Sequence, residues 1–89
     1  GSRSKADLHI TPNPVVKEFT LSAYFPERGP VMIRIIDVSG KVVKQISDNV
    51  DKGYITMQVD QLEKLKQGTY FVEIKQKDYT RKTKIVKVD

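Results

Sequence analysis

Apolar side chains in this chain recur at every second position, and clusters of Gly, Pro, Asn and Asp interrupt them at intervals of about 8 to 12 residues. Period two is the repeat of a β-strand, whose successive side chains point to opposite faces, so each run predicts a short strand with one buried side. Phe19, Leu21 and Ala23 alternate with Glu18, Thr20 and Ser22; Ile55, Met57 and Val59 alternate with Tyr54, Thr56 and Gln58. Leu8 and Ile10 start a first strand that Pro12 and Pro14 stop, because proline lacks the amide donor a ladder needs. Val31, Ile33 and Ile35 share one face of a third strand while Met32, Arg34 and Ile36 share the other, a doubly apolar pattern that predicts a central position.

Between these runs lie the turns. Pro26 to Pro30 reads as a turn, Asp37 to Lys41 as a hairpin connection in which Gly40 supplies the left-handed residue, and Asp48 to Gly53 as a loop after a returning strand over 41–46. Gln61 to Gln67 holds Leu62 and Leu65 but is too short for a stable helix, which leaves a crossover that plugs one end of the core. A strand over 69–76 turns Tyr70, Val72 and Ile74 one way and Phe71, Glu73 and Lys75 the other; Lys77-Asp78 leads into a last strand over 80–88. The expectation is an all-β fold, a seven-stranded antiparallel immunoglobulin-like β-sandwich, with a barrel as the alternative closure.

The chain has 89 residues and no cysteine, so one small domain must hold together without a disulfide, and thiol catalysis and thiolate metal sites are excluded. No apolar run approaches the roughly 18 residues of a helical membrane span. Gly1-Ser2 reads as an expression scar; residues 1–6 are taken as scar and linker and residues 7–89 as the domain.

Chemistry-bearing residues are sparse. His9 is the sole histidine, with Asp7 on the same strand face, and a metal needs three or four converging ligands. Asp48, Asn49 and Asp51 lack the carboxylate spacing of a calcium loop, and Ser22, Ser39 and Ser47 lack the strand–elbow–helix context of a nucleophile. Tyr24, Tyr54, Tyr70, Phe71 and Tyr79 are scattered over alternating positions, which does not make a stacking platform for sugar or nucleic acid. No enzyme, cofactor or nucleic-acid partner is expected. Charge is the clearer signal: residues 75–89 carry six basic side chains against two acidic, +4 of the net +5. Lysines on a final strand blunt an edge against unwanted pairing, and the same strand can also be presented to a receptor by charge or by strand addition.

Four motifs occur in a fixed order: Pro12-Asn13-Pro14; Asp37 and Gly40 followed by Val42-Val43; Gly68, Tyr70, Val72 and Ile74; and the basic run from Lys82 to Lys87. In that order and spacing the chain resembles the type A C-terminal sorting domains of the type IX secretion system of Bacteroidetes, over residues 8 to 88. It departs from them at the end, where Val88-Asp89 follows Lys87. The resemblance implies a secretion signal covalently part of a larger cargo protein that passes through the periplasm. The outer-membrane machinery would recognise it, a sortase-like peptidase would usually remove it, and the cargo would reach the cell surface or the medium. On this reading Lys82, Lys84, Ile85, Val86 and Lys87 are the contacts for the translocon, with Pro12, Asn13, Pro14, Asp37, Gly40, Gly68, Tyr70, Val72 and Ile74 structural. An exposed final strand would also allow two copies to pair. The alternative is a carbohydrate-binding or fibronectin-like accessory module of a secreted enzyme.

Overall fold

The computed structural model describes residues 7–89, so the expected scar and linker lie outside the described residues. Seven strands follow in chain order: β1 (Leu8–Thr11), β2 (Phe19–Phe25), β3 (Gly29–Asp37), β4 (Val42–Val50), β5 (Gly53–Val59), β6 (Gly68–Gln76) and β7 (Tyr79–Lys87). They form two sheets, ordered β1-β2-β5 and β4-β3-β6-β7, with every ladder between them antiparallel. No helix occurs among the described residues. The fold is the expected all-β sandwich of immunoglobulin-like form.

The period-two pattern explains the core. Leu21, Ala23 and Phe25 of β2, Ile33 and Ile35 of β3, and Val72 and Ile74 of β6 are fully buried between the sheets. Strand β3 is central, as its two apolar faces require, with β4 on one side and β6 on the other. Between β5 and β6 the chain drops Leu62 into the end of the sandwich, where its N–H donates to the Lys17 carbonyl at 3.0 Å; Leu65 is half-buried beside the core. Full burial of such a leucine stabilises by about 1.5–3 kcal/mol.

The returning strand β4 is longer than the sequence predicts. It continues to Val50, so Asp48, Asn49 and Val50 lie in a ladder and not in a loop. The reason is on the partner: β3 begins at Gly29, and Gly29 and Pro30 pair with Val50 and Asn49, which carries Val50 into the core. At the opposite end the register shifts between Ile35 and Ile36, which pair with Lys44 and Val42. Val43 is the extra residue of this bulge, and it packs against the core.

Strand β1 ends at Thr11, just before Pro12, but the chain beyond it goes on to the second sheet. After Thr11 the chain crosses through Pro12-Asn13-Pro14, and Val15 forms a parallel bridge with Lys87 on the outer edge of β7. One N-terminal segment thus ties both sheets together along the side where β1 and β7 lie close.

Candidate functional site

Strand β7 carries Arg81, Lys82, Lys84 and Lys87 and no acidic residue. Alternation divides it sharply. Lys82, Lys84 and Val86 are exposed on the outer surface, whereas Ile85 and Lys87 are 1% and 2% exposed. Ile85 is a core residue, and the Lys87 ammonium turns back to donate to the Val88 carbonyl at 3.0 Å. Of the five residues expected to contact the translocon, Ile85 and Lys87 thus occupy the inward positions of the period-two pattern, and Lys82, Lys84 and Val86 the outward ones. Of the outward three, Lys82 lies opposite Glu73, with its ammonium 5.9 Å from the centre of the Phe71 ring. Glu73 is already 3.8 Å from Arg34, and no carboxylate of the described residues forms an ion pair with Lys82 or Lys84.

The outer edge of β7 is closed over its last stretch by the Pro-Asn-Pro segment. The Val86 N–H donates to Asn13 Oδ1 at 3.0 Å, and Asn13 Nδ2 makes a longer contact of 3.5 Å with the Lys84 carbonyl. Val15 continues the seam: its N–H donates to the Val86 carbonyl at 2.7 Å, and its carbonyl accepts from the Val88 N–H at 2.8 Å. Asn13 stands between two prolines, neither of which has an N–H to offer, so its side-chain amide takes the place a strand backbone would fill. The sequence signal for this role was an amide side chain between two residues that lack a backbone N–H.

The other motif residues hold the scaffold. In the Asp37–Lys41 connection, Asp37 Oδ1 accepts from the Ser39 hydroxyl at 2.7 Å, the Ser39 N–H at 2.9 Å and the Lys41 N–H at 3.0 Å. These bonds, the Ser39 hydroxyl first, hold the Asp37 carboxyl below its ordinary value. Gly40 has φ of +92°, a conformation that side chains with a Cβ rarely adopt. Tyr70 is buried in the core, and its hydroxyl donates to the Lys66 carbonyl at 2.8 Å, the arrangement called a tyrosine corner in immunoglobulin-like sandwiches. It pins the entrance of β6, which Gly68 begins; Val72 and Ile74 follow into the core.

Sequence reasoning missed Gln76. It ends the inward row of β6 and is only 3% exposed, with Nε2 donating to the Glu27 carbonyl at 2.7 Å and Oε1 accepting from the Glu27 N–H at 3.3 Å. A polar amide at the next position of an apolar alternation was the available sign. At the far end Gln67 donates to the Asp89 carboxylate at 2.6 Å.

The remaining candidates are dispersed. His9 is exposed, and Asp7 is engaged by Arg81 at 2.8 Å, which holds the guanidinium more firmly protonated. Among the described residues no group of three or more metal-ligating side chains converges. Tyr24 and Tyr54 meet edge to face at 5.5 Å on the three-stranded sheet, Phe71 lies under Lys82 on the other, and Arg81 covers the Tyr79 ring at 4.3 Å. Burial pushes the Tyr79 phenol up. The Tyr24 and Tyr54 ring planes are 61° apart.

Residues 9–88 match the family described as the secretion system C-terminal sorting domain. The chain belongs to this family. As such it is a C-terminal secretion signal of the type IX secretion system, which implies export to the cell surface or secretion. That role is non-catalytic. No curated protein matches the chain. The sorting domain's motifs thus fall into two structural groups. Pro12-Asn13-Pro14 and the basic run meet along one edge, while the Asp37 and Gly68 motifs stabilise the turn and strand behind it.

Proposed function

We propose that the outward row of β7, Lys82, Lys84 and Val86, is the surface by which the type IX outer-membrane machinery recognises this sorting domain. Residues 7–89 act as one unit, carried by a cargo protein through the periplasm and removed by a sortase-like peptidase after export. The domain works by being bound, with no bond made or broken at its own side chains. The observation that carries this reading is the pair Lys82 and Lys84: two exposed cations on a core-supported strand, with no ion-pair partner among the described residues, at the most positive part of the chain. Unpaired positive charge on a rigid element steers and orients an acidic partner. Pro12, Asn13, Pro14, Asp37, Gly40, Gly68, Tyr70, Val72 and Ile74 serve by keeping that strand in place.

A periplasmic reporter fused ahead of residues 7–89, expressed in a host with the type IX system, tests the proposal. Lys82→Glu with Lys84→Glu is expected to leave the fold intact and to trap the reporter inside the cell. Export at the unmodified level would overturn the assignment of these residues. Glycan binding by the isolated chain would favour the accessory-module alternative.

A further inference from the structure

We propose that β7 is a strand acceptor: an extended acidic segment of a partner pairs with its outer edge at Lys82 and Lys84. The inference rests on the sorting reading for its biological setting, but its physical basis is the edge itself. Val86 directs both its N–H and its carbonyl outward, to Asn13 and Val15. In an antiparallel ladder that direction alternates, and the β6–β7 register runs without a shift from Gly68–Lys87 to Gln76–Tyr79. The N–H and carbonyl groups of Thr80, Lys82 and Lys84 therefore also point away from β6.

Two of these groups are already engaged. The Arg81 guanidinium donates to the Thr80 carbonyl at 2.8 Å, and Asn13 contacts the Lys84 carbonyl. Between these stops the Lys82 N–H, the Lys82 carbonyl and the Lys84 N–H have no hydrogen-bond partner among the described residues. Those three groups are what one antiparallel strand needs for a first paired residue and the next bond along.

Charge selects the occupant. A residue opposite Lys82 in an added strand shares its face, so acidic side chains at alternate positions would stand beside Lys82 and Lys84. The competing edges offer no such preference: β1 and β5 have no Lys, Arg, Asp or Glu, and β4 carries one lysine, Lys44, against one aspartate, Asp48. Asn13 and Val15 set the lower limit of the window by occupying the next rungs.

The test uses the ¹⁵N-labelled 89-residue chain and a blocked hexapeptide of alternating Asp and Val. Amide shifts and slowed hydrogen exchange are expected at Lys82 and Lys84, but not along β4 or β5. They should weaken as ionic strength rises from about 0.01 to 0.15 M, where the screening length falls from about 30 to 8 Å. A peptide with Lys in place of Asp should leave these amides unchanged. Asn13→Ala should let the acidic peptide protect Val86 as well. Unmoved Lys82 and Lys84 amides, or an equal response on β4 or β5, would overturn the proposal. So would protection that grows with the concentration of the chain alone, which would make a second copy the occupant. Peptide pairing at Lys82 together with unimpaired export of the Lys82→Glu, Lys84→Glu reporter would uphold the acceptor and remove the sorting assignment of these lysines. Impaired export without pairing would remove the acceptor alone.

Discussion

The Asp37–Lys41 turn and the Pro12–Val15 clasp both satisfy backbone polar groups with a short acidic or amide side chain, but they do so over different distances. Asp37 closes its bonds within four residues, and Asn13 closes its contact across 71. The turn is organised by its own sequence and needs only solvent around it. The clasp exists only when β1 and β7 have reached opposite sheets, and so it reports on the whole fold. A local motif resists damage elsewhere in the domain; a long-range one converts such damage into an open edge.

The largest test of that contrast is Val15→Asp. Val15 is fully buried in the seam, and an unpaired carboxylate there should cost several kcal/mol, read as a lowered midpoint in chemical denaturation. A midpoint near that of the unmodified chain would mean that the seam contributes little to the fold. Asn13→Ala removes the side-chain amide from an exposed position and is expected to cost about 1 kcal/mol, with faster hydrogen exchange confined to Val86 and its neighbours. If exchange accelerated across the Asp37 turn as well, the two regions would not be independent.

The smallest effect belongs to the turn. Because folding lowers the Asp37 carboxyl, its contribution is complete above the unfolded value of about 3.9 and is lost as pH falls through the folded one. Ser39→Ala removes the leading cause and should move the Asp37 titration midpoint, followed by carboxyl-carbon NMR, up toward the ordinary carboxylate value. Identical midpoints in the two proteins would contradict the hydrogen-bond account. The Val86 exchange rate at neutral pH should not change in this variant.

Much of the fold was legible because the alternation of β2, β3, β5 and β6 is a local property of strand geometry. The inward positions of Phe19, Leu21, Ala23, Val31, Ile33, Ile35, Tyr70, Val72 and Ile74 follow directly from it. The length of β4 was not legible, since Asp48 and Asn49 favour turns locally and are held in a strand by β3. The same competition bears on the candidate site. The basic character of residues 82–87 is evident from composition, but the division of that run into presented Lys82, Lys84 and Val86 and buried Ile85 and Lys87 needed the alternation to be placed against a core.

By itself the sequence determined the strand faces, the turns at Asp37 and Lys77, the order of the family motifs and the concentration of positive charge near the carboxyl terminus, because each depends on neighbours a few residues apart. Only the tertiary structure decided that Asn13 and Val15 seal the outer edge of β7 and that three backbone groups at Lys82 and Lys84 have no hydrogen-bond partner among the described residues. Hydrogen bonds between segments separated by some seventy residues are chosen by how the sheets pack, and no local pattern encodes that choice.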